Sequence, residues 1–108
     1  MSADAQKPVD RDAGCLMGSR DTATSQTYFP PRPYAADGSL RPTQPVALSR
    51  RGILYSWTVM GDQHFGQVDL PEGVRIQTRL MPSDHAIGAT YEFVVTGEAD
   101  SDWGFRHA

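Results

Sequence analysis

A chain of 108 residues with one cysteine, 39% hydrophobic residues and a net charge of −3 can form one small domain with a thin core and no internal disulfide. No apolar run approaches the length of a membrane span. The opening MSADAQKPVDRDAG lacks the basic and apolar regions of a signal peptide, so a cytoplasmic location is expected. Residues 16–60 are net basic, whereas residues 61–108 carry three arginines against eight acids. That distribution lacks the concentrated basic patch of a general nucleic-acid binder.

Residues 1–14 are polar and without periodicity, and predict a mobile tail. Cys15 is expected to be a buried or half-exposed small residue rather than a nucleophile. Residues 15–46 hold Pro30, Pro31, Pro33, Pro42 and Pro45, which oppose a long helix or a central strand. With the ADGS turn they predict an extended, proline-rich arm.

Residues 47–108 change to strand patterning. RGILYSWTVM places Ile53, Tyr55, Trp57 and Val59 on one face, with most of the aromatic residues of the chain assigned to the core. HFGQVDL is a second strand in which Gly66 signals a bulge or a close backbone approach. VRIQTRL alternates cleanly, with Val74, Ile76, Thr78 and Leu80 inward. ATYEFVVTG predicts a fourth strand with Ala89, Tyr91, Phe93 and Val95 inward, and DWGFRHA a fifth. Five short strands in so few residues predict an all-β fold, a small OB-like barrel preceded by the arm. Closure would remove its exposed edges.

No catalytic constellation is legible. His64, His85 and His107 are scattered in sequence and read as solvated surface residues, without metal-ligand spacing. Ser49 and Ser56 have no identifiable base. Asp62, Asp69 and Asp84 sit at turns or strand ends, where carboxylates accept backbone hydrogen bonds. No phosphate-cradling glycine loop is present. Tyr28, Phe29 and Tyr34 lie on an arm without a core, so they either dock onto the barrel or project to a partner.

The order LMGSRDTATSQTYFPPRPYAADGS, LSRRGILYSWTV, LPEGVRIQTRL, IGATYEFV, FRHA resembles the acyl-CoA-associated proteins with an N-terminal rubredoxin-like zinc ribbon and a C-terminal OB-fold. FPPR and the LSRRGILYSWTV segment are its most specific parts, and the likeness spans residues 16–108. Members usually carry two cysteine pairs bracketing FPPR; here those positions fall near Asp21, Thr24, Ala35 and the Asp37–Gly38 turn. The resemblance therefore implies a degenerate, metal-free ribbon and no cofactor. It implies a non-catalytic accessory subunit whose partner is a thiolase-like enzyme, a hydratase or an aldolase acting on coenzyme A thioesters. Phe29, Pro30, Pro31 and Arg32 would contact that partner or coenzyme A, with Arg50 and Arg51 as phosphate contacts. A solvated strand start is the plainer reading of the two arginines. The alternatives are an OB-fold module binding single-stranded nucleic acid, which the acidic C-terminal half opposes, and a purely structural interaction protein.

Overall fold

The computed structural model describes residues 7–108, which form strands and no helix. The described residues therefore contain no helix long and apolar enough to cross a membrane. Five strands close into a barrel: β5 (Arg51–Met60), β6 (Gln63–Asp69), β7 (Arg75–Leu80), β8 (Thr90–Val95) and β9 (Trp103–His107). Their order around the barrel is β5-β6-β7-β9-β8. All neighbours are antiparallel except β7 and β9, which meet in parallel at Leu80 and Phe105. This is the OB-type arrangement expected from the sequence.

The alternation of β7 is realised residue by residue: Ile76, Thr78 and Leu80 are buried while Arg75, Gln77 and Arg79 face water. Gly66 marks a close approach, since a Cβ there would stand 2.8 Å from the Ser56 carbonyl oxygen and 2.7 Å from Leu80. The bulge lies on β5 instead, where the register shifts between Leu54 and Ser56, before the Trp57–Gly66 pair.

The face assignment of β5 is corrected. Leu54 is 1% exposed, whereas Ile53 and Tyr55 are 46% and 50% exposed. Beyond the bulge Trp57 and Val59 stand opposite Gly66 and His64 but remain 42% and 44% exposed, where the hairpin runs past the core. Periodicity favours the exposed face, because Ile53, Tyr55, Trp57 and Val59 are all apolar whereas Ser56 and Thr58 interrupt the other face. The bulge changes the phase midway. Gly52 supports the observed choice: a Cβ there would come within 2.5 Å of the Asp69 carbonyl oxygen. Val95, expected inside, is also exposed, at the end of β8.

The arm is more structured than its prolines predicted. β1 (Val9–Asp10) pairs with the start of β2 (Cys15–Asp21), and both β3 (Gln26–Tyr28) and β4 (Gln44–Ala47) also pair with β2. Pro45 is accommodated in β4, whose only strand partner among the described residues is β2, as expected for an edge strand. Residues 7–14, read as tail, are engaged. Val9 joins the core, and Arg11 donates to the carbonyls of Gly97 and Ala99 in the β8–β9 loop. Residues 1–6, also assigned to the tail, lie outside the described residues. A single hydrophobic cluster runs from Val9, Leu16 and Leu48 into Leu54, Ile76, Tyr91, Phe93 and Phe105. Arm and barrel thus share one core. Cys15 is buried in it, and burial raises its thiol pKa.

Candidate functional site

The FPPR segment leaves β3 and turns over the barrel. Phe29 is half-buried, packs on the core cluster and meets Trp103 edge to face at 6.3 Å. Of the two fates open to the arm aromatics, Phe29 takes docking. Tyr28 holds the arm to itself: its hydroxyl accepts from Ala36 N at 3.2 Å, and the Arg32 guanidinium lies 5.5 Å from its ring. Tyr34 is 48% exposed. Pro30 follows a cis peptide bond and is exposed, and Pro31 is half-buried. Arg32 N donates to Ser19 Oγ at 2.8 Å, and its Nε donates to the Tyr34 carbonyl at 3.2 Å. Thr27 to Arg32 line a shallow depression with Val74 and Arg75.

Of the four positions at which the resemblance would place zinc ligands, Asp21 and Asp37 join an ion-pair cluster with Arg41 instead. Asp21 is 2% exposed. Its oxygens accept from Ala23 N, Thr24 Oγ1 and the Arg41 guanidinium, the last at 2.7 Å. The same Arg41 nitrogen reaches Asp37 at 2.8 Å. Arg41 holds the Asp21 carboxyl below its ordinary range. Ser39, with Arg41 assisting, lowers that of Asp37 to about 2. Ala35 is buried and offers no ligand atom. These residues do not fit zinc, because both carboxylates already pair with the Arg41 guanidinium and no thiolate or imidazole stands beside them. No group of three metal-ligating side chains occurs among the described residues. Sequence reasoning missed Arg41; the Asp37–Arg41 spacing of four residues was its only signal.

Arg50 and Arg51 start β5, both exposed, and line a second depression with Glu92. Arg51 is 3.5 Å from Glu92, whose other oxygen accepts from Arg106 at 3.0 Å. Arg106 is the main cause of the lowered Glu92 pKa. FPPR and the arginine pair line separate depressions.

The histidines are not scattered in space. His64 Nδ1 and His85 Nε2 lie 2.7 Å apart, and His85 Nδ1 is 2.6 Å from the hydroxyl of fully buried Tyr91. His107 stacks flat on Tyr91 at 5.0 Å, and Trp57 meets the His85 ring at 5.1 Å. One proton arrangement satisfies the whole chain in the neutral state. Tyr91 donates to His85 Nδ1, and His85 Nε2–H donates to His64 Nδ1. The reverse would leave the buried Tyr91 proton without an acceptor. Burial lowers the His85 pKa, His64 and His107 assist, and Asp84 opposes. Folded protein therefore binds fewer protons than unfolded chain between this depressed value and the ordinary one near 6.5. Stability should fall as pH drops through that window. Thermal midpoints measured from pH 7.5 to 5 should show this slope, and His85→Gln should flatten it. Acid loss from Asp21, Asp37, Asp69 and Glu92 should begin only in the carboxylate range below it.

Ser49 does have a carboxylate neighbour. Its N and Oγ both donate to Glu72 Oε2, at 3.0 and 2.6 Å, which ties the β6–β7 turn to the start of the barrel. Two bonds from one residue to one oxygen make a cap rather than a nucleophile–base pair. Asp69 departs from the expected backbone role, receiving Arg75 Nε at 2.6 Å.

A groove of about 720 Å³ runs over the outer face of β6 and β7 under the β8–β9 loop. Its lining includes Phe65, Gln67, Gln77, Arg79, Asp102 and Trp103.

The fold defines an OB-type barrel fused through one core to a small β-ribbon. A solved structure described as the Ltp2-ChsH2(DUF35) aldolase has the same fold, with a TM-score of 0.71 at 19% identity. The likeness covers 89% of this chain and 87% of that one. No protein-family model and no curated protein matches the chain.

Proposed function

We propose that this chain is a non-catalytic accessory subunit of an acyl-CoA-processing enzyme, a thiolase-like enzyme, a hydratase or an aldolase. The observation that carries the reading is the fold likeness to a DUF35-containing aldolase structure across both ribbon and barrel. The arm is read as a zinc ribbon in which the Asp21–Arg41–Asp37 cluster replaces the metal. Phe29, Pro30, Pro31 and Arg32 present the partner contact, and Arg50 and Arg51 face coenzyme A phosphate. Arg50 suits that role better, since Glu92 already pairs with Arg51. The chain works in the cytoplasm, where such thioesters are handled. Tagged protein recovered from its host should bring a near-stoichiometric acyl-CoA enzyme, identified by mass spectrometry. The Arg50→Ala, Arg51→Ala protein should lose little of its thermal midpoint, since the exposed Arg51–Glu92 pair is a weak one, and should raise the partner's KM for the thioester severalfold. Recovery of nucleic acid without such an enzyme would overturn the reading.

The second reading, an OB module for single-stranded nucleic acid, is favoured by the groove over β6 and β7, the face such modules use. The net charge opposes it. A steep loss of binding with added salt would mark it.

A further inference from the structure

We infer that the groove over β6 and β7 is a binding site for a single adenine nucleotide, free or as the head of a larger cofactor. The inference rests on the groove itself; only its coenzyme A arm bears on the accessory-subunit reading.

Cross-strand register builds the floor. Ser56, Gln67 and Gln77 stand in one row across β5, β6 and β7, and Thr58, Phe65 and Arg79 in the next. The two rows therefore set a pair of carboxamides beside an aromatic ring and a guanidinium. Ser56 Oγ donates to Gln67 Oε1 at 3.0 Å, which occupies that oxygen and leaves the amide's amino group as its donor. Gln77 is exposed on β7, so its amide can offer both a donor and an acceptor. A carboxamide of this kind matches the donor–acceptor edge of adenine. Phe65, half-buried, supplies a face for the base. Arg79 is exposed, in contrast to Arg75 on the same strand, which is committed to Asp69 and lies over the Tyr55 ring at 3.4 Å. Arg79 is thus the group left to meet a phosphate. Asp102 lines the same groove from the β8–β9 loop, with one oxygen accepting from Ala99 N. A carboxylate in that place suits ribose hydroxyls.

Charge decides between a nucleotide and a strand. One arginine neutralises about one phosphate, and a strand needs several along its path. Arg79 is the only basic residue lining the groove among the described residues, and Asp102 opposes a polyanion. The volume, about 720 Å³, is within the range of small-ligand pockets, about 300–1,000 Å³.

Isothermal titration of the full chain with ADP, coenzyme A and a single-stranded ten-nucleotide oligoadenylate tests this. ADP should saturate with a one-to-one stoichiometry, and Arg79→Ala should weaken it about tenfold or more, the usual scale for one charge-assisted contact. Gln77→Ala should weaken ADP severalfold and UMP hardly at all. Both side chains are exposed, so neither variant threatens folding, and Arg20→Ala, on β2, should change nothing. Competition of coenzyme A with ADP would place its head in this groove. ADP binding without coenzyme A binding would keep the nucleotide site and count against coenzyme A handling by this chain. No saturation by millimolar ADP, binding that ignores Arg79, or an oligonucleotide that binds far more tightly with a steep salt slope would each overturn the proposal.

Discussion

Phe105→Ala should destabilise the protein by about 3–5 kcal/mol, the usual cost of emptying a buried aromatic site. Phe105 is fully buried and meets Phe93 and Trp103 edge to face at 6.0 and 6.4 Å. Its position raises the cost further. It pairs with Leu80 at the parallel β7–β9 seam, and its carbonyl accepts from Met81 N at 2.9 Å. The seam closes the barrel, so a cavity there loosens two strands rather than one. For a domain of this size the thermal midpoint should drop by roughly 15–30 °C. Phe105→Leu, which keeps most of the volume, should lose far less. Calorimetry on the two variants checks the contrast. Equal losses would mean that the aromatic contacts, rather than filled volume, hold the seam.

Asp21→Ala should release the arm while leaving the barrel folded. The side chain gathers four groups: Ala23 N, Thr24 Oγ1 and two nitrogens of Arg41. Removing it leaves those donors without their acceptor and strands the guanidinium beside Asp37 alone. Hydrogen exchange should quicken about ten- to a hundredfold in β2, β3 and the 35–43 loop, on the scale of charged hydrogen bonds. Amides of β6 and β7 should be almost unchanged. Asp21→Asn keeps an acceptor for Ala23 N but loses the charge, and should fall between. Acid should mimic the variant: the lowered Asp21 pKa means its contribution is complete above the ordinary carboxylate value and is lost as pH falls through the depressed one. Exchange followed at pH 6 and pH 3 in the arm checks the sign.

Much of the barrel was legible because its strands carry unambiguous signals. VRIQTRL sets Ile76, Thr78 and Leu80 against Arg75, Gln77 and Arg79, with Thr78 the one polar residue on the inward face, and the structure follows it. RGILYSWTVM was not legible in the same way. Its more apolar face is the exposed one, and the choice between the faces rests on Gly52 fitting against Asp69 and on a bulge that no composition announces. The arm was read from its prolines, which limit a chain locally but do not forbid an edge strand such as β4. Its ion-pair cluster joins Asp21 to Arg41 across twenty residues, beyond the reach of spacing rules. The same holds for the groove row Ser56, Gln67, Gln77, which exists only in the paired sheet.

The sequence by itself determined an all-β chain, the five barrel strands, the turns between them and the order FPPR, then LSRR, then barrel. Those are local properties, set by alternation and by turn residues acting over a few positions. The tertiary structure alone decided that residues 7–14 dock on the β8–β9 loop, that three distant histidines gather around Tyr91, and that Arg41 takes the centre of the ribbon. Each of these depends on closing the chain over many residues, and an exposed histidine and one in a buried hydrogen-bonded chain look the same in a sequence.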